Sequence, residues 1–432
     1  MNDRISSVAT DTWRAADEQS STRPRHLAEQ DHPRHLAGAA LASALCDARA
    51  RTWALVDDLT ESQWMPPLQP GVNPIAWELA HQAWFAEFWI LRGPHSVGPD
   101  GLVNAHLPSQ IAGPDAHLDS TRLLHPARWS TPMPNRGEVK RMLDDQLAAC
   151  LHALPRHEFT TTAEQDQALY FHRLALFHED MHSEALCWLR SALGYAPPKG
   201  YVVPLRPPGV QINVAATQID LGFKALANGF AFDNERPGQR VTLNDFVIDS
   251  EPVSAMEFAR FVDAAGYEQP QYWPGDAGTW RSESGLNQPA HWRRSAAGKW
   301  QMRWFDRWID LIAGIPAMHL NVFEAEAYCL WAKRSLPTAA QWEHAARSQP
   351  EFAWGNSIWE WTADNFQPYP GFVSGPYRDY SKPWFGDHRE LRGGAFATRE
   401  RMHDARYRNF FRPERSDIFA GFRTVASHNA AF

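Results

Sequence analysis

The first half of the chain contains four stretches in which apolar residues recur with the spacing of an α-helix. These stretches cover residues 40–59, 74–93, 136–154 and 164–193. Asn73-Pro74 is a typical helix beginning, and Gly194 is a typical residue after a helix end. Amphipathic helices of this length bury their apolar stripes most readily against one another. We therefore expect an up-down four-helix bundle over residues 37–196, with a longer irregular connection between its second and third helices.

The second half of the chain predicts a different architecture. Residues 197–211 contain five prolines, a composition typical of a stiff linker. Beyond them, short β-like runs such as 240–248 alternate with two predicted helices, 254–265 and 322–334, among loops rich in glycine, proline and tryptophan. We expect an α+β domain with little regular structure over residues 212–432, and hence two domains in all.

Composition excludes several classes of protein. The net charge of −8 and the pI of 6.2 argue against nucleic acid as a partner. No run of about 18 apolar residues predicts a membrane span. Residues 1–36 mix charged residues with serine and lack the apolar region of a secretory signal, so we expect a disordered tail. Four cysteines without CxxC spacing, Cys46, Cys150, Cys187 and Cys329, predict buried reduced thiols and a cytoplasmic protein.

The strongest local motif is the sequence HEDMH at residues 178–182. His178 and His182 lie four positions apart on a predicted helix, so both rings project from one face and can reach one ion. A third histidine, His81, lies within another helix of the predicted bundle, although one helical histidine alone is more often a core residue. His172 lies off this face and is not expected to be a ligand. Three imidazoles suit iron, zinc, copper and nickel alike.

The same motif also matches the HExxH string of zinc hydrolases, in which the glutamate acts as the general base. The extension HExxHxxGxxH is absent, because Ser183-Glu184-Ala185-Leu186 follow the second histidine. Glu184 remains open as a further ligand. We expect Glu179 to be structural, or to orient a ligand imidazole, rather than to act as a base. A zinc hydrolase and a non-catalytic metal-binding module remain as alternatives of other classes.

Several motifs of the second half occur together in one known family. They are LPTAAQWE at 336–343, WEWT at 359–362, RGGAF at 392–396 and GFR at 421–423. This set resembles the formylglycine-generating-enzyme (sulfatase-modifying-factor) fold, which is C-type-lectin-like, although that enzyme's reactive cysteine pair is not visible. The fold alone therefore gives no function.

The bundle with its three histidines resembles the DinB type. Its fusion to such a C-terminal domain resembles the ergothioneine-biosynthesis sulfoxide synthases and the related selenoneine synthases. Further segments of the family pattern are PYPGF at 368–372, YRDY at 377–380 and YRNFF at 407–411.

The resemblance implies a set of functional residues. His81, His178 and His182 would bind Fe(2+), and the substrates would be O2, the trimethylated histidine called hercynine, and a selenosugar or a thiol. Tyr377 and Tyr380 match the family's tyrosine motif, in which one phenol supplies a proton or hydrogen atom during oxygen activation. In an aromatic-rich domain, however, a tyrosine or phenylalanine taken alone is more often a core residue.

The resemblance also implies substrate contacts. Asn409 and Phe410 match positions that hold hercynine, whose quaternary ammonium an aromatic face attracts. Two departures concern the second substrate. Residues 178–182 read HEDMH instead of the HEQQH that is frequent in sulfur-inserting members, and Phe411 stands near the family's donor-binding aspartate, with Arg415 matching the accompanying basic residue. We therefore expect C–Se bond formation between a selenosugar and hercynine C2, with C–S bond formation from cysteine or γ-glutamylcysteine as the alternative.

Overall fold

The N-terminal domain is a bundle of four long helices, as the sequence predicts. The structure is a computed structural model, which describes residues 32–224 and 228–426. The long helices are α1 (Gly38–Ala54), α3 (Ile75–Ala86), α5 (Arg136–Ala153) and α6 (Thr162–Leu193), and two short helices, α2 (Glu61–Trp64) and α4 (Asp115–Leu118), lie in the connections. Helix α3 continues into a π-helical turn, Glu87–Leu91, which agrees with the predicted end near residue 93.

Capping residues set the helix ends. The side chain of Thr161 accepts a hydrogen bond from the Glu164 amide at the start of α6, and the helix ends where Gly194 adopts a left-handed φ of 69°. Helix α1 ends five residues before its predicted end at residue 59. Arg190 explains the difference, because its guanidinium donates hydrogen bonds to the Leu55 carbonyl (2.7 Å) and to the Asp58 carboxylate (2.7 Å) and holds this segment in a turn.

The connection between α3 and α5 is less irregular than predicted. It contains a two-stranded antiparallel hairpin, β1 (His95–Val97) and β2 (Val103–Ala105), followed by α4. Glu87 is buried beneath this connection and accepts hydrogen bonds from the Gln110, Ile111 and Ala112 amides. The loop is thereby fixed against the bundle, just before the start of α4.

The C-terminal domain combines small sheets with four helices, in agreement with the predicted α+β class. The helices are α7 (Ala255–Asp263), α8 (Asp276–Ser284), α9 (Val322–Ala332) and α10 (Ala339–Ser348). The strands are β3 (Gln211–Val214), β4 (Thr217–Leu221), β5 (Gln239–Leu243), β6 (Phe246–Asp249), β7 (Trp292–Arg294), β8 (Trp300–Trp304), β9 (Arg307–Asp310), β10 (Arg334–Ser335), β11 (Trp359–Asn365), β12 (Arg389–Arg392), β13 (Asn409–Phe411), β14 (Ala420–Gly421) and β15 (Val425–Ala426).

These strands form two four-stranded sheets, a three-stranded sheet and a hairpin. The orders are β10-β15-β6-β3, β13-β12-β11-β14, β7-β8-β9 and β4-β5. The predicted β-run 240–248 is therefore wrong as one strand, because the chain turns at Asn244-Asp245 and its two halves pair in different sheets. In the sheet that bears the functional site, β13 is an edge strand and β14 pairs with β11 in parallel.

Buried ion pairs explain the charged residues of the motifs LPTAAQWE, WEWT, RGGAF and GFR. Arg392 donates to Glu343 (3.1 Å) and Glu390 (2.7 Å), and Arg423 donates to Glu360 (2.6 Å). Trp342 also donates its indole N–H to Glu360 (2.8 Å). These residues are buried, so each charge depends on its partner. The motifs therefore stabilise the fold and need no part in chemistry.

The first described residues are packed against both domains. Residues 33–35 form a 3-10 helix, and Arg34 is buried in ion pairs with Glu235 (2.7 Å) and Asp404 (3.0 Å) of the C-terminal domain. Arg173 of α6 donates a hydrogen bond to the Leu36 carbonyl (2.9 Å). The prediction of a disordered tail is therefore wrong for residues 32–36, and residues 1–31 lie outside the described part.

The predicted linker lies on the bundle. It has no regular structure before β3 begins at Gln211, and the guanidinium of Arg51 on α1 donates a hydrogen bond to the Tyr201 hydroxyl (2.6 Å). Three cysteines are buried as expected, whereas Cys46 is exposed. Within the described residues, no helix is long and apolar enough to cross a membrane.

Candidate metal centre and substrate cavity

Three histidine side chains meet inside the bundle. His81 projects from α3, and His178 and His182 project from α6, where four positions separate them. One ring nitrogen from each lies within 4.8 Å of the other two, and the Nε2 atoms of His178 and His182 are 3.2 Å apart. In the part of the chain that the structure describes, this is the one cluster of its kind. The three side chains could hold a metal ion.

Neighbouring acceptors orient two of the rings. His81 donates its Nδ1–H to the Leu118 carbonyl (2.7 Å) at the end of α4. His182 donates its Nδ1–H to Glu78 (2.5 Å), which also accepts a hydrogen bond from Asn73 (2.5 Å). In both rings, Nε2 is then unprotonated, so its lone pair can bind a metal.

Burial favours the neutral form of two imidazoles of the cluster, those of His81 and His178. Burial lowers the pKa of His81 to about 3 and lowers the pKa of His178 well below its usual value. Burial alone would raise the pKa of Glu78, but attraction by His182 and the hydrogen bonds from His182 and Asn73 lower it to about 2. Two neutral imidazoles, and a third imidazole that is hydrogen-bonded to an ionised carboxylate, form a suitable ligand set for a cation.

Glu179 faces away from this cluster. Its carboxylate accepts hydrogen bonds from the Arg49 guanidinium (2.8 Å) and the Thr52 hydroxyl (3.0 Å), both on α1. The expectation that Glu179 orients an imidazole of the cluster is wrong, because the carboxylate bonded to His182 is that of Glu78 and Glu179 is paired with Arg49. A hydrolase base must reach the water on its metal, and Arg49 holds Glu179 on another side of the helix.

Glu78 was not predicted from the sequence as a residue of this site. It lies three positions before His81, within a helix in which every residue is buried. A carboxylate at such a position is a signal, because buried charges need a partner. The partner is His182 on another helix, which the spacing along the chain does not reveal.

A cavity of about 260 Å³ begins at the histidine cluster and lies between the two domains. Helix α6 forms one wall, and the C-terminal domain forms the other. The lining residues from α6 are His178, Met181, His182, Glu184, Ala185 and Trp188, and those from the C-terminal domain are Trp359, Tyr377, Tyr380, Tyr407, Asn409, Phe410, Phe411 and Ile418. The cavity therefore brings together most of the residues that the resemblance implies.

Both predicted tyrosines line this cavity, but their hydroxyl groups differ. The Tyr380 hydroxyl lies 3.3 Å from the Tyr407 hydroxyl, which donates to the sulfur of Met181 (3.4 Å). The Tyr377 hydroxyl has no hydrogen-bond partner among the described residues. Burial raises the pKa of both predicted tyrosines, so both phenols stay protonated at neutral pH.

Contacts around the tyrosines place Tyr377 beside the cluster. Its ring lies 5.0 Å from the ring of Phe85, which stacks on His178 at 3.5 Å. Asp233 holds the loop that carries both tyrosines, because it accepts hydrogen bonds from the Gly375 amide (3.2 Å) and the Ser381 hydroxyl (2.5 Å) on either side. Tyr377 is thus the phenol with a free donor near the candidate metal centre.

The predicted substrate-binding residues divide into two groups. Asn409, Phe410 and Phe411 form the edge strand β13 and line the cavity. Arg415 does not line it: its guanidinium binds both oxygens of Asp417 (2.8 and 2.7 Å) and lies 4.9 Å from the ring of Phe411. The structure therefore places Arg415 behind Phe411, with its charge already compensated.

Asp180 and Met181, the two residues of HEDMH that differ from HEQQH, have different contacts. Asp180 accepts a hydrogen bond from Arg401 of the C-terminal domain (2.6 Å), and burial raises its pKa to about 6. Met181 lines the cavity next to Tyr407. This departure from HEQQH therefore gives one residue to the domain interface and one to the cavity.

Glu184 also lines the cavity and is not part of the histidine cluster. Its carboxylate accepts hydrogen bonds from the Trp359 indole (2.5 Å) and the Thr398 hydroxyl (2.8 Å). Burial raises its pKa to about 7. From the sequence, Glu184 was open only as a further metal ligand. Its place in the cavity wall was not predicted, nor was that of Tyr407, Trp188 and Trp359.

Comparisons with known proteins agree with this architecture. Residues 210–358 and 355–428 match the sulfatase-modifying factor enzyme 1-like domain, and residues 44–186 match the DinB superfamily. The hercynine oxygenases of Mycolicibacterium thermoresistibile and Mycobacterium tuberculosis are each 29% identical to this chain, over 440 and 432 residues. These alignments cover 89% of this chain in both cases, and 94% and 97% of the two relatives.

A further relative matches the second half of the chain. The formylglycine-generating enzyme of Streptomyces coelicolor is 26% identical over 288 residues, which cover 49% of this chain and 88% of that enzyme. The hercynine oxygenases, by contrast, extend over both domains. Since both modules occur in the same chain and full-length relatives share them, this chain is an oxidoreductase that belongs to the ergothioneine sulfoxide synthase family.

Proposed function

We propose that the chain uses iron(II) and O2 to join the selenium of a selenosugar to C2 of the hercynine imidazole. The observation that carries the proposal is the convergence of three imidazoles at one end of a cavity with phenols and aromatic rings in its walls. The two full-length relatives named as hercynine oxygenases support hercynine as the acceptor. In the balanced reaction, the C2–H and Se–H bonds are lost and a C–Se bond forms. O2 accepts four electrons, with one oxygen atom bound to selenium and the other released as water.

The residues present fit an iron ion. Nε2 of His81 and Nε2 of His182 are unprotonated and would bind the ion, and three protein ligands would leave further coordination positions for the substrates. Iron(II) would supply the redox centre and the template on which the substrates meet. Zinc would satisfy the same ligands but cannot transfer electrons to O2, which is why the proposal specifies iron.

The side chains of the cavity would orient hercynine and exclude water. Its imidazole would lie against the histidine cluster, while Asn409 offers a carboxamide and Phe410 an aromatic face on the opposite wall. An aromatic face attracts a quaternary ammonium by roughly 0.5–2 kcal/mol. Holding both reactants in one small cavity replaces a bimolecular encounter with an oriented one.

Tyr377 would be the proton donor of the reaction. Its hydroxyl is free among the described residues, and its ring adjoins Phe85 beside His178. Its raised pKa keeps the proton on the phenol until a stronger base develops nearby. Tyr380 has the same chemistry, but its hydroxyl is next to Tyr407 and is better suited to shape the cavity wall.

The proposed donor is a selenosugar because the two residues that match the family's donor-binding positions, Phe411 and Arg415, offer no free charge. An amino-acid thiol brings a carboxylate and an ammonium, which need charged partners. Phe411 is apolar, and Asp417 already compensates the charge of Arg415. A sugar brings hydroxyl groups and an apolar ring face, which the rings of Phe411 and Trp188 could cover.

Competition between donors tests this proposal. The protein, loaded with iron(II) under anaerobic conditions, is given hercynine with equal concentrations of a selenosugar, cysteine and γ-glutamylcysteine, and O2 is then admitted. We expect the selenosugar adduct to exceed the thiol adducts at least about tenfold by mass spectrometry, since one missing charged contact costs roughly 1–3 kcal/mol. Dominant cysteine or γ-glutamylcysteine adducts would replace selenium with sulfur, and no adduct from any donor would reject the function.

A further inference from the structure

Glu184 is the one carboxylate among the described residues that line the cavity. Both of its oxygens are held by donors of the C-terminal domain, Trp359 and Thr398. It makes no ion pair with an arginine or lysine of the described chain. The nearby Arg51 donates its hydrogen bonds to the Tyr201 hydroxyl and the Ala397 carbonyl instead. The cavity therefore has a fixed carboxyl group without a partner cation, and a cation bound beside it would favour its ionised form.

The geometry of α6 separates this carboxylate from the histidine cluster. Successive residues of an α-helix point about 100° apart around its axis. Glu184 and His182 consequently lie at opposite borders of the helix face that lines the cavity, with Met181 and Ala185 between them. A substrate whose imidazole lies against the histidines would extend its other end across Met181 and Ala185 toward Glu184.

The bonding of Glu184 favours one type of ligand. A quaternary ammonium has no N–H group, so it needs negative charge and aromatic faces rather than a hydrogen-bond acceptor. The cavity wall also has aromatic rings, among them those of Trp188, Trp359, Tyr407 and Phe410. A sugar hydroxyl, in contrast, would compete with Trp359 and Thr398 for the oxygens of Glu184.

We propose that Glu184 determines acceptor specificity by holding the quaternary ammonium of the imidazole substrate. This inference rests on the proposed function, in which that substrate is hercynine. Phe410 supplies polarisable surface to the cation, and Glu184 supplies the opposite charge that an aromatic ring lacks. The cavity would thus recognise hercynine at both ends, through the histidine cluster and through this carboxylate.

Direct binding tests the inference without turnover. The dissociation constant of hercynine is measured by calorimetry on the iron(II)-loaded protein under anaerobic conditions, without a donor. For Glu184→Gln, which keeps the size of the side chain and removes its charge, we expect binding about 10- to 100-fold weaker. An analogue without the ammonium group, imidazole propionate, should bind both proteins within about threefold. The matched control is Glu326→Gln, which makes the same change at a carboxylate paired with Arg389 on the outer side of α9 and should leave binding unchanged.

A second variant separates the charge of Glu184 from its contact between domains. Thr398→Val removes one hydrogen bond to the carboxylate and keeps the charge, so hercynine should bind within about threefold of the wild type. Equal losses in Thr398→Val and Glu184→Gln would show a structural tether and overturn the inference. Unchanged hercynine binding in Glu184→Gln, or weaker binding of the selenosugar alone, would also overturn it. No binding of hercynine to the wild type would instead reject the proposed function.

Discussion

Glu78 and Glu179 are both buried carboxylates next to the histidine pair of α6, but they serve different regions of the bundle. Glu78 faces the histidine cluster, where it accepts the Nδ1–H of His182 and so leaves Nε2 of that ring unprotonated. Glu179 faces α1, where its carboxylate accepts hydrogen bonds from Arg49 and Thr52. One region is arranged to receive a ligand, and the other is fully paired within the protein.

This difference shows what a short motif can and cannot specify. In the HExxH string, the glutamate next to the first histidine acts as a base only if it shares the cavity with the metal. Here the adjacent Glu179 contributes to helix packing, while a glutamate from another helix performs the orienting role. Four predictions would sharpen or contradict this contrast between the two sides of α6.

The largest effect is expected from the three candidate ligands. Replacing His81, His178 or His182 with Ala should abolish stoichiometric iron binding and reduce turnover at least about 10³-fold, because each removes one of three ligands. Iron content and circular dichroism would check that the metal is lost while the bundle remains folded. His172→Gln on the same helix is the control and should retain iron. Full iron content in one of the alanine variants would remove that histidine from the site.

The next effect separates the two predicted tyrosines of the cavity, Tyr377 and Tyr380. Tyr377→Phe should lower kcat about 10²- to 10⁴-fold, as expected for the loss of a proton donor. Tyr380→Phe loses the hydrogen bond to Tyr407 and the weak one to the sulfur of Met181, which corresponds to about a 3- to 10-fold decrease. Rates of adduct formation under saturating substrates give the comparison. A larger loss in Tyr380→Phe would reverse the assignment.

A smaller effect is expected at Glu78. Glu78→Gln keeps the shape of the side chain but weakens the acceptor of the His182 N–H, so iron affinity should fall about 10- to 100-fold. Competition with a chelator measures this affinity. Equal affinity in the variant and the wild type would mean that Glu78 does not orient the ligand.

The smallest effect on activity is expected at Glu179. Glu179→Gln should retain iron and bond-forming turnover, but it leaves the buried Arg49 without its counter-charge. The free energy of unfolding should therefore decrease by about 1–3 kcal/mol in denaturant titrations. Loss of turnover at unchanged stability and iron content would assign Glu179 to the chemistry.

The sequence predicted the bundle well because its signals are local. Helical spacing of apolar residues located the four long helices, and Gly194 marked the end of α6. The end of α1 was placed too late, because Arg190 from another helix holds residues 55–58 in a turn. In the second half, the break at Asn244-Asp245 separates β5 from β6, and only the pairing of distant strands shows that they belong to different sheets.

Residues of the candidate site could be predicted only where they belong to a recognisable sequence motif. The three histidines and both tyrosines were found from spacing and from the resemblance to a family. Tyr407 and Glu184 were missed as cavity residues, because their positions depend on how the two domains pack. Arg415 was expected in the cavity, yet its partner Asp417, two positions along the chain, holds it behind Phe411.

A single-turnover reaction with labelled hercynine tests the central claim most directly. Hercynine with deuterium at imidazole C2 and the selenosugar are bound anaerobically to the iron(II)-loaded wild type, Glu179→Gln and His178→Ala proteins, and O2 is then admitted. If the cavity side of α6 carries the chemistry, the first two proteins form a C–Se adduct that has lost the deuterium, and His178→Ala forms none. Adduct formation by His178→Ala, or its loss in an iron-loaded and folded Glu179→Gln protein, would contradict the account.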